Sequence, residues 1–149
     1  YILLIPTIGF IGRAMYPFLF RICKENEYRT ALIGFAVCIA ASVILCTGKT
    51  GMFASVAALG IIYTAVSVIN TAFVSVYPLR YERTGNSASV SGILDFATYL
   101  GAGISSAAYG FLIKSCGYMP MFLSWVVISV ISELVLIKAE RNAKAVSVV

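Results

Sequence analysis

Two charges lie deep inside long apolar stretches of this chain, Asp95 and Arg13. An ionisable side chain at membrane depth is costly, so it faces protein or water and generally serves pairing, proton transfer or a solute path. Counted from Ser89 at about 1.5 Å per residue, Asp95 lies roughly 9 Å in from one end of its segment. Arg13, counted back from Phe20, lies roughly 10 Å in from the same side. Pairing would relieve both desolvation costs, although equal depth does not place two helices side by side. Arg13 also has a structural alternative, its long stem carrying the guanidinium out to the headgroups. Asp95 is too short for that escape and is the stronger candidate for gating or coupling, with Tyr99 one turn further along.

A second set of polar groups is neutral. Gly60, Tyr63, Thr64, Ser67, Asn70 and Thr71 recur at three- and four-residue steps and share one helical face. Ile61, Ile62, Ala65, Val66, Val68, Ile69, Ala72 and Phe73 take the other. Hydrocarbon offers a polar stripe no partners, so it faces protein or a water-filled path. Hydroxyls and amides also glue helices together. The line Tyr63, Ser67, Asn70 at i, i+4 and i+7 is read as lining a path for a small polar organic solute.

Other chemistries are poorly served. The sequence has no His, and its four cysteines, Cys23, Cys38, Cys46 and Cys116, form no CxxC pair or metal spacing. No cofactor, metal site or catalytic residue is expected, and an enzyme is not predicted.

The elements that position these residues are spans. Sixty per cent of residues are hydrophobic and 11% charged, with a mean hydropathy of +0.95. Such a chain has too little polar surface for a soluble domain, and its +5 charge lies in the gaps between apolar stretches rather than forming a nucleic-acid footprint. Five segments approach the ~20 residues that a span needs: about 1–20, 31–47, 52–77, 89–113 and 119–137. Short connections make neighbours antiparallel, so the predicted fold is all-α, a polytopic up-down helical bundle. The second and fifth spans, with few polar residues, read as outer supports. Residues 138–149 read as a frayed, solvated tail. The apolar opening from Tyr1 to Leu19 reads as a fragment starting within a helix.

Orientation follows from the basic residues. Arg21, Lys24, Arg29, Arg80, Arg83, Lys138, Arg141 and Lys144 fall on one side, against Lys49 and Lys114 on the other. That bias puts the segment 78–88 and the C-terminus in the cytoplasm of a multi-pass cell-membrane protein. Pro78, Arg80, Arg83 and Gly85 read as a charged hinge between the third and fourth spans, and the small residues from Gly101 to Gly110 as a face for close helix approach.

This arrangement resembles the C-terminal half of a major facilitator superfamily transporter, helices eight to twelve of twelve. Pro78, Arg80, Arg83, Gly85 and Ala88 resemble the family's link between helices ten and eleven. Gly92, Asp95, Tyr99 and Gly101 are similar to the start of helix eleven in the organophosphate and sugar-phosphate antiporter branch. The family's G-x-x-x-D-R-x-G-R gating motif falls at Tyr16 to Lys24, where Tyr16, Phe20 and Cys23 replace the glycine, aspartate and second glycine. The resemblance implies two bundles rocking about a midplane site. The third span would line the path, the first and fourth would meet the missing N-terminal half, and the second and fifth would face lipid. It further implies secondary active transport of a small polar solute, with a possible coupling ion. A non-transporting membrane subunit or scaffold is the alternative, because polar stripes can serve packing alone.

Overall fold

The computed structural model describes residues 4–48 and 51–146. These residues form five helices with no strand among them: α1 (Leu4–Ile22), α2 (Glu27–Cys46), α3 (Met52–Asn70), α4 (Ser87–Cys116) and α5 (Met119–Val146). Between α3 and α4 the chain stays helical, as a π-helical turn over Thr71–Val76 and a 3₁₀ segment over Tyr77–Thr84. Four helical stretches are long and apolar enough to cross a membrane: α2, the continuous run Met52–Thr84, α4 and residues 119–143. The fifth expected span, over 1–20, is not among them. Its described part, α1, is interrupted by Arg13, Arg21 and Pro17, and residues 1–3 lie outside the described residues.

α2 is the centre of the bundle, with α3 on one side and α5 on the other. Its buried positions are mostly small: Thr30, Ala31, Gly34, Cys38, Ala41 and Ser42. Where lipid competes for every apolar side chain, helices associate through close backbone approach rather than through hydrophobicity. Gly34 shows the tolerance: a methyl group built there would come within 2.7 Å of Ile69 Cγ1. Expected as an outer support, the plain small-faced helix is instead the one against which its neighbours pack.

Two apolar clusters follow from this arrangement. One gathers Tyr16, Tyr28, Ala31, Val68, Ala72 and Leu136. The other gathers Cys38, Ala41, Leu45, Ala58, Ile62 and Ala65, with Phe122 and Trp125 packed against it. Trp125 is half-buried with its ring edge-on to both Phe122 and Tyr109.

α1 seats on α3 through Gly9 and Gly12 and scarcely touches α2. α4 lies apart. It meets the π and 3₁₀ segments near its start and α5 near its end, where Ser124 Oγ donates to Tyr109 Oη at 3.2 Å. None of its 30 residues is buried. A methyl group built on Gly92, Gly101, Gly103 or Gly110 meets no atom within 4 Å among the described residues. The small-residue face is therefore open, and α4 is the least attached helix of the bundle.

The end of the chain also differs from expectation. α5 runs on to Val146 instead of fraying at 138. Ala139 and Ala143 pack against the first cluster, and Arg29 Nε donates to Glu140 Oε1 at 3.2 Å. Residues 139–143 are thus docked, and residues 147–149 lie outside the described residues.

The expected topology can be checked with two thiols. Cys116 is exposed, whereas Cys23 is buried and would stay silent from either side. A cysteine at exposed position 83, introduced as Arg83→Cys, replaces it as the cytoplasmic reporter. A membrane-impermeant maleimide should label Cys116 in intact cells and the cysteine at 83 only after permeabilisation. The reverse pattern would invert the orientation drawn from the basic residues.

Candidate functional site

The third helical rod changes form where its polar stripe ends, and Pro78 explains why. A proline has no N–H for the carbonyl four residues back, and its ring collides with that carbonyl. The chain widens ahead of it, so that Tyr77 N–H bonds the Ala72 carbonyl, five residues back. Beyond the widened turn it tightens to 3₁₀ geometry and stops at Gly85. Gly85 takes the left-handed conformation, φ 71°, and its N–H bonds the Glu82 carbonyl at 3.0 Å. The predicted hinge 78–88 is thus a helical segment with a two-residue turn, Gly85–Asn86. Pro78 is buried within it, while Arg83 is exposed.

Above the break, the stripe divides. Gly9 and Gly12 of α1 press on it: a methyl group at Gly9 would meet the Tyr63 ring at 2.8 Å, and one at Gly12 would meet Thr64 O at 2.7 Å and Ser67 Cβ at 2.8 Å. The hydroxyls of Thr64, Ser67 and Thr71 donate to the carbonyls of Gly60, Tyr63 and Ser67, each four residues back, at 2.9, 2.9 and 2.8 Å. Ser67 therefore belongs to the α1–α3 seam. Tyr63 keeps 42% of its surface open, and Asn70, the last residue of α3, is exposed. The apolar side divides too, with Ile62, Ala65, Val68 and Ala72 buried and Ile61 and Val66 exposed.

Asp95 lies on the far side of the break. It is half-buried and lines an open cleft of about 640 Å³ between α4 and the π and 3₁₀ segments, together with Ser75, Glu82, Ser87 and Ser91. Tyr99, one turn on, is 76% exposed. Arg13 is exposed on α1, and no ion pair joins it to Asp95 among the described residues. The shared depth misled here because α1 seats on α3, whereas α4 is held only near its two ends.

The sequence reading overlooked a buried acid, Glu27. It is the first residue of α2, its side chain 4% exposed, and its Oε1 forms an ion pair with Arg80 Nε of the 3₁₀ segment. That pairing is a charge contact rather than an aligned hydrogen bond, and the nearby Tyr16 hydroxyl is likewise buried without a hydrogen-bond partner. The start of α2 helps hold the carboxylate, since a helix N-terminus favours negative charge. Arg80 also covers the Tyr28 ring, its guanidinium carbon 5.3 Å from the centroid. Tyr28 in turn meets Phe73 and Tyr77 edge-on at 6.3 and 6.1 Å. Asn26 was the missed signal. Its side chain accepts from Arg29 N–H at 3.2 Å, and an Asn followed by an acid is a helix start. Read so, α2 begins at 27 rather than 31, with Glu27 inside the bundle.

The pair should respond asymmetrically to substitution. Arg80→Ala leaves a buried carboxylate unpaired and should cost about 3–5 kcal/mol of stability. Glu27→Gln leaves a cation whose side chain is already 48% exposed and can reach water, so about 1–2 kcal/mol is expected. The double variant should lose less than the two single losses added together. Unfolding of the purified variants in detergent measures all three, and a costlier Glu27→Gln would mean that Arg80 is not what holds Glu27.

Comparison with known proteins finds no matching family model, no matching curated protein and no matching solved structure. Pro78 and Gly85 build the break and its cap, and Arg80 ties it to α2.

Proposed function

We propose that this chain is the C-terminal part of a secondary active transporter of the major facilitator type, moving a small polar organic solute by alternating access. One observation carries the reading: the third helical rod breaks into π and 3₁₀ pieces directly after Tyr63, Ser67 and Asn70, beside the cleft that holds Asp95. Departures from α-helical geometry inside a span free backbone groups and concentrate at functional sites. Tyr63 and Asn70 meet the solute, the amide through hydrogen bonds and the ring through its face. Ser67 positions α1 against them. Asp95 and Tyr99, on the open face of α4, serve gating or ion coupling against the other half of the protein. Arg13, exposed on α1, serves the same seam. The segment from Pro78 to Gly85 transmits the movement on the cytoplasmic side.

The alternative, a non-transporting subunit or scaffold, has its own support in the hydroxyls of Thr64, Ser67 and Thr71. They are already bonded within their helix and so need no solute.

Transport by the full-length protein separates the two. Tyr63→Ala and Asn70→Ala should each raise the apparent KM by about three- to tenfold, the weight of one hydrogen bond or ring contact. Asp95→Asn should lower kcat. Val66→Ala, at an exposed apolar position of the same helix, should change neither. Equal effects at Val66, Tyr63 and Asn70, with membrane insertion intact, would favour the scaffold.

A further inference from the structure

Arg13 stands beside the polar stripe of α3, on the same flank as Tyr63 and Asn70. Gly9 and Gly12 seat α1 on α3, the first against the Tyr63 ring and the second against Thr64 and Ser67. These contacts advance together along both chains, so the two helices run parallel. Arg13 follows Gly12 directly and lies one turn on from Gly9, on nearly the same side of α1. Its level is therefore that of Ser67, between Tyr63 and Asn70. Helical spacing also fixes the flank. Ile11 and Met15 line an apolar groove with Ile61 on one side of the α1–α3 seam. Arg13 is turned roughly 160° around α1 from both, and Tyr63 is turned roughly 160° around α3 from Ile61. Both therefore face the other side of the seam. Arg13, Tyr63 and Asn70 are all exposed, and together they form one open polar face.

The charge on this face has no counter-charge in the fold. Arg13 forms no ion pair among the described residues. Asp95, the acid expected at its depth, lines the cleft between α4 and the π and 3₁₀ segments instead. A cation at membrane depth is costly and marks a place where an anion meets it. Arg21, the next cation along α1, lies about 12 Å further on at 1.5 Å per residue.

We infer that the solute is a small organic monocarboxylate, its carboxylate on Arg13 and its other polar groups on Asn70, beside the Tyr63 ring. The guanidinium fork matches the two oxygens of a carboxylate with parallel N–H bonds. A phosphate monoester carries about 1.5 to 2 negative charges at neutral pH, and among the described residues this face offers one cation. A neutral solute would leave that cation unmet. The inference rests on the transporter reading and adds to it the sign and number of the solute's charge.

The test uses the purified full-length protein and follows its thermal unfolding with lactate, glycerate and gluconate. The primary amide of each, glycerol, glucose, glycerol phosphate and glucose phosphate serve as comparisons. At least one carboxylate should stabilise the protein saturably, and its amide should not. Arg13→Gln should weaken that carboxylate's apparent Kd about ten- to hundredfold, the weight of a charged hydrogen bond. Arg13→Lys keeps the charge without the fork and should recover part of the loss. Arg13 bonds to no other described residue, so neither substitution removes a contact that holds the bundle. Amides or polyols equal to the carboxylates, or phosphate esters above them, would overturn the inference. So would a carboxylate affinity untouched by Arg13→Gln, the result expected if the guanidinium only reaches the headgroups. In those cases binding that still falls with Tyr63→Ala and Asn70→Ala would preserve the transporter reading. Stabilisation by none of the compounds would overturn the monocarboxylate, and binding indifferent to Tyr63 and Asn70 as well would sink both.

Discussion

The ion pair between Glu27 and Arg80 is the constraint on which the Pro78 end of the bundle depends. A carboxylate that is 4% exposed at the start of α2 needs a cation, and the 3₁₀ segment supplies it. For Arg80 to arrive there, the third helical rod has to reach past its own α-helical end and turn across the foot of α2. The π turn and Pro78 make that path possible. Tyr28 then packs beneath the guanidinium and against Phe73 and Tyr77. Helix start, helix break and aromatic packing are therefore one solution to a single desolvation problem. Burying such a pair contributes little net stability, but breaking it leaves a bare charge, so it specifies arrangement more than it strengthens it.

Much of this was legible in the sequence. Hydropathy pointed to an all-helical chain with several membrane-length helices, although α5 runs on to Val146 where a span ending at 137 is expected. Pro78 and Gly85 stand at a helix break and its cap. What hydropathy could not convey was which helices would be central. α2 lacks a polar stripe, and a reading that equates polarity with importance sends it to the periphery. In lipid the small residues are what matter, because Ala31, Gly34 and Ala41 let α3 and α5 come close. Its start was also placed late, at 31, since Glu27 and Arg29 look like loop charges until the Asn26 cap is recognised.

The polar residues show the same limit from the other side. Spacing put Tyr63, Ser67 and Asn70 on one line, and the helix does present them so. Spacing says nothing of what covers that line. α1 covers Ser67 through Gly12 and leaves Asn70 open. Depth placed Arg13 level with Asp95, but depth is one coordinate of three, and the helices that carry them pack on different neighbours. The docked last turns of α5 were missed because residues beyond 138 look solvated when read alone. Arg29, the partner of Glu140, lies 111 residues earlier in the chain, and most of the first cluster comes from other helices.

α4 carries the consequence of these observations furthest. A 30-residue helix that buries none of its side chains in this fold is held by little more than its two ends. In a bilayer its apolar residues are content beside lipid, but Asp95, Tyr99 and the bare glycines from Gly101 to Gly110 gain nothing from hydrocarbon. The hydroxyls of Thr98 and Ser105 are satisfied by carbonyls of their own helix, whereas a carboxylate has no such internal remedy. Asp95 therefore requires either the water of the cleft it lines or a donor from outside this bundle. A helix that can exchange one for the other, tethered at its ends while its face stays uncovered, is mechanically suited to move. The firm part of the structure, α2 with its ion pair, is the frame against which that movement would be made.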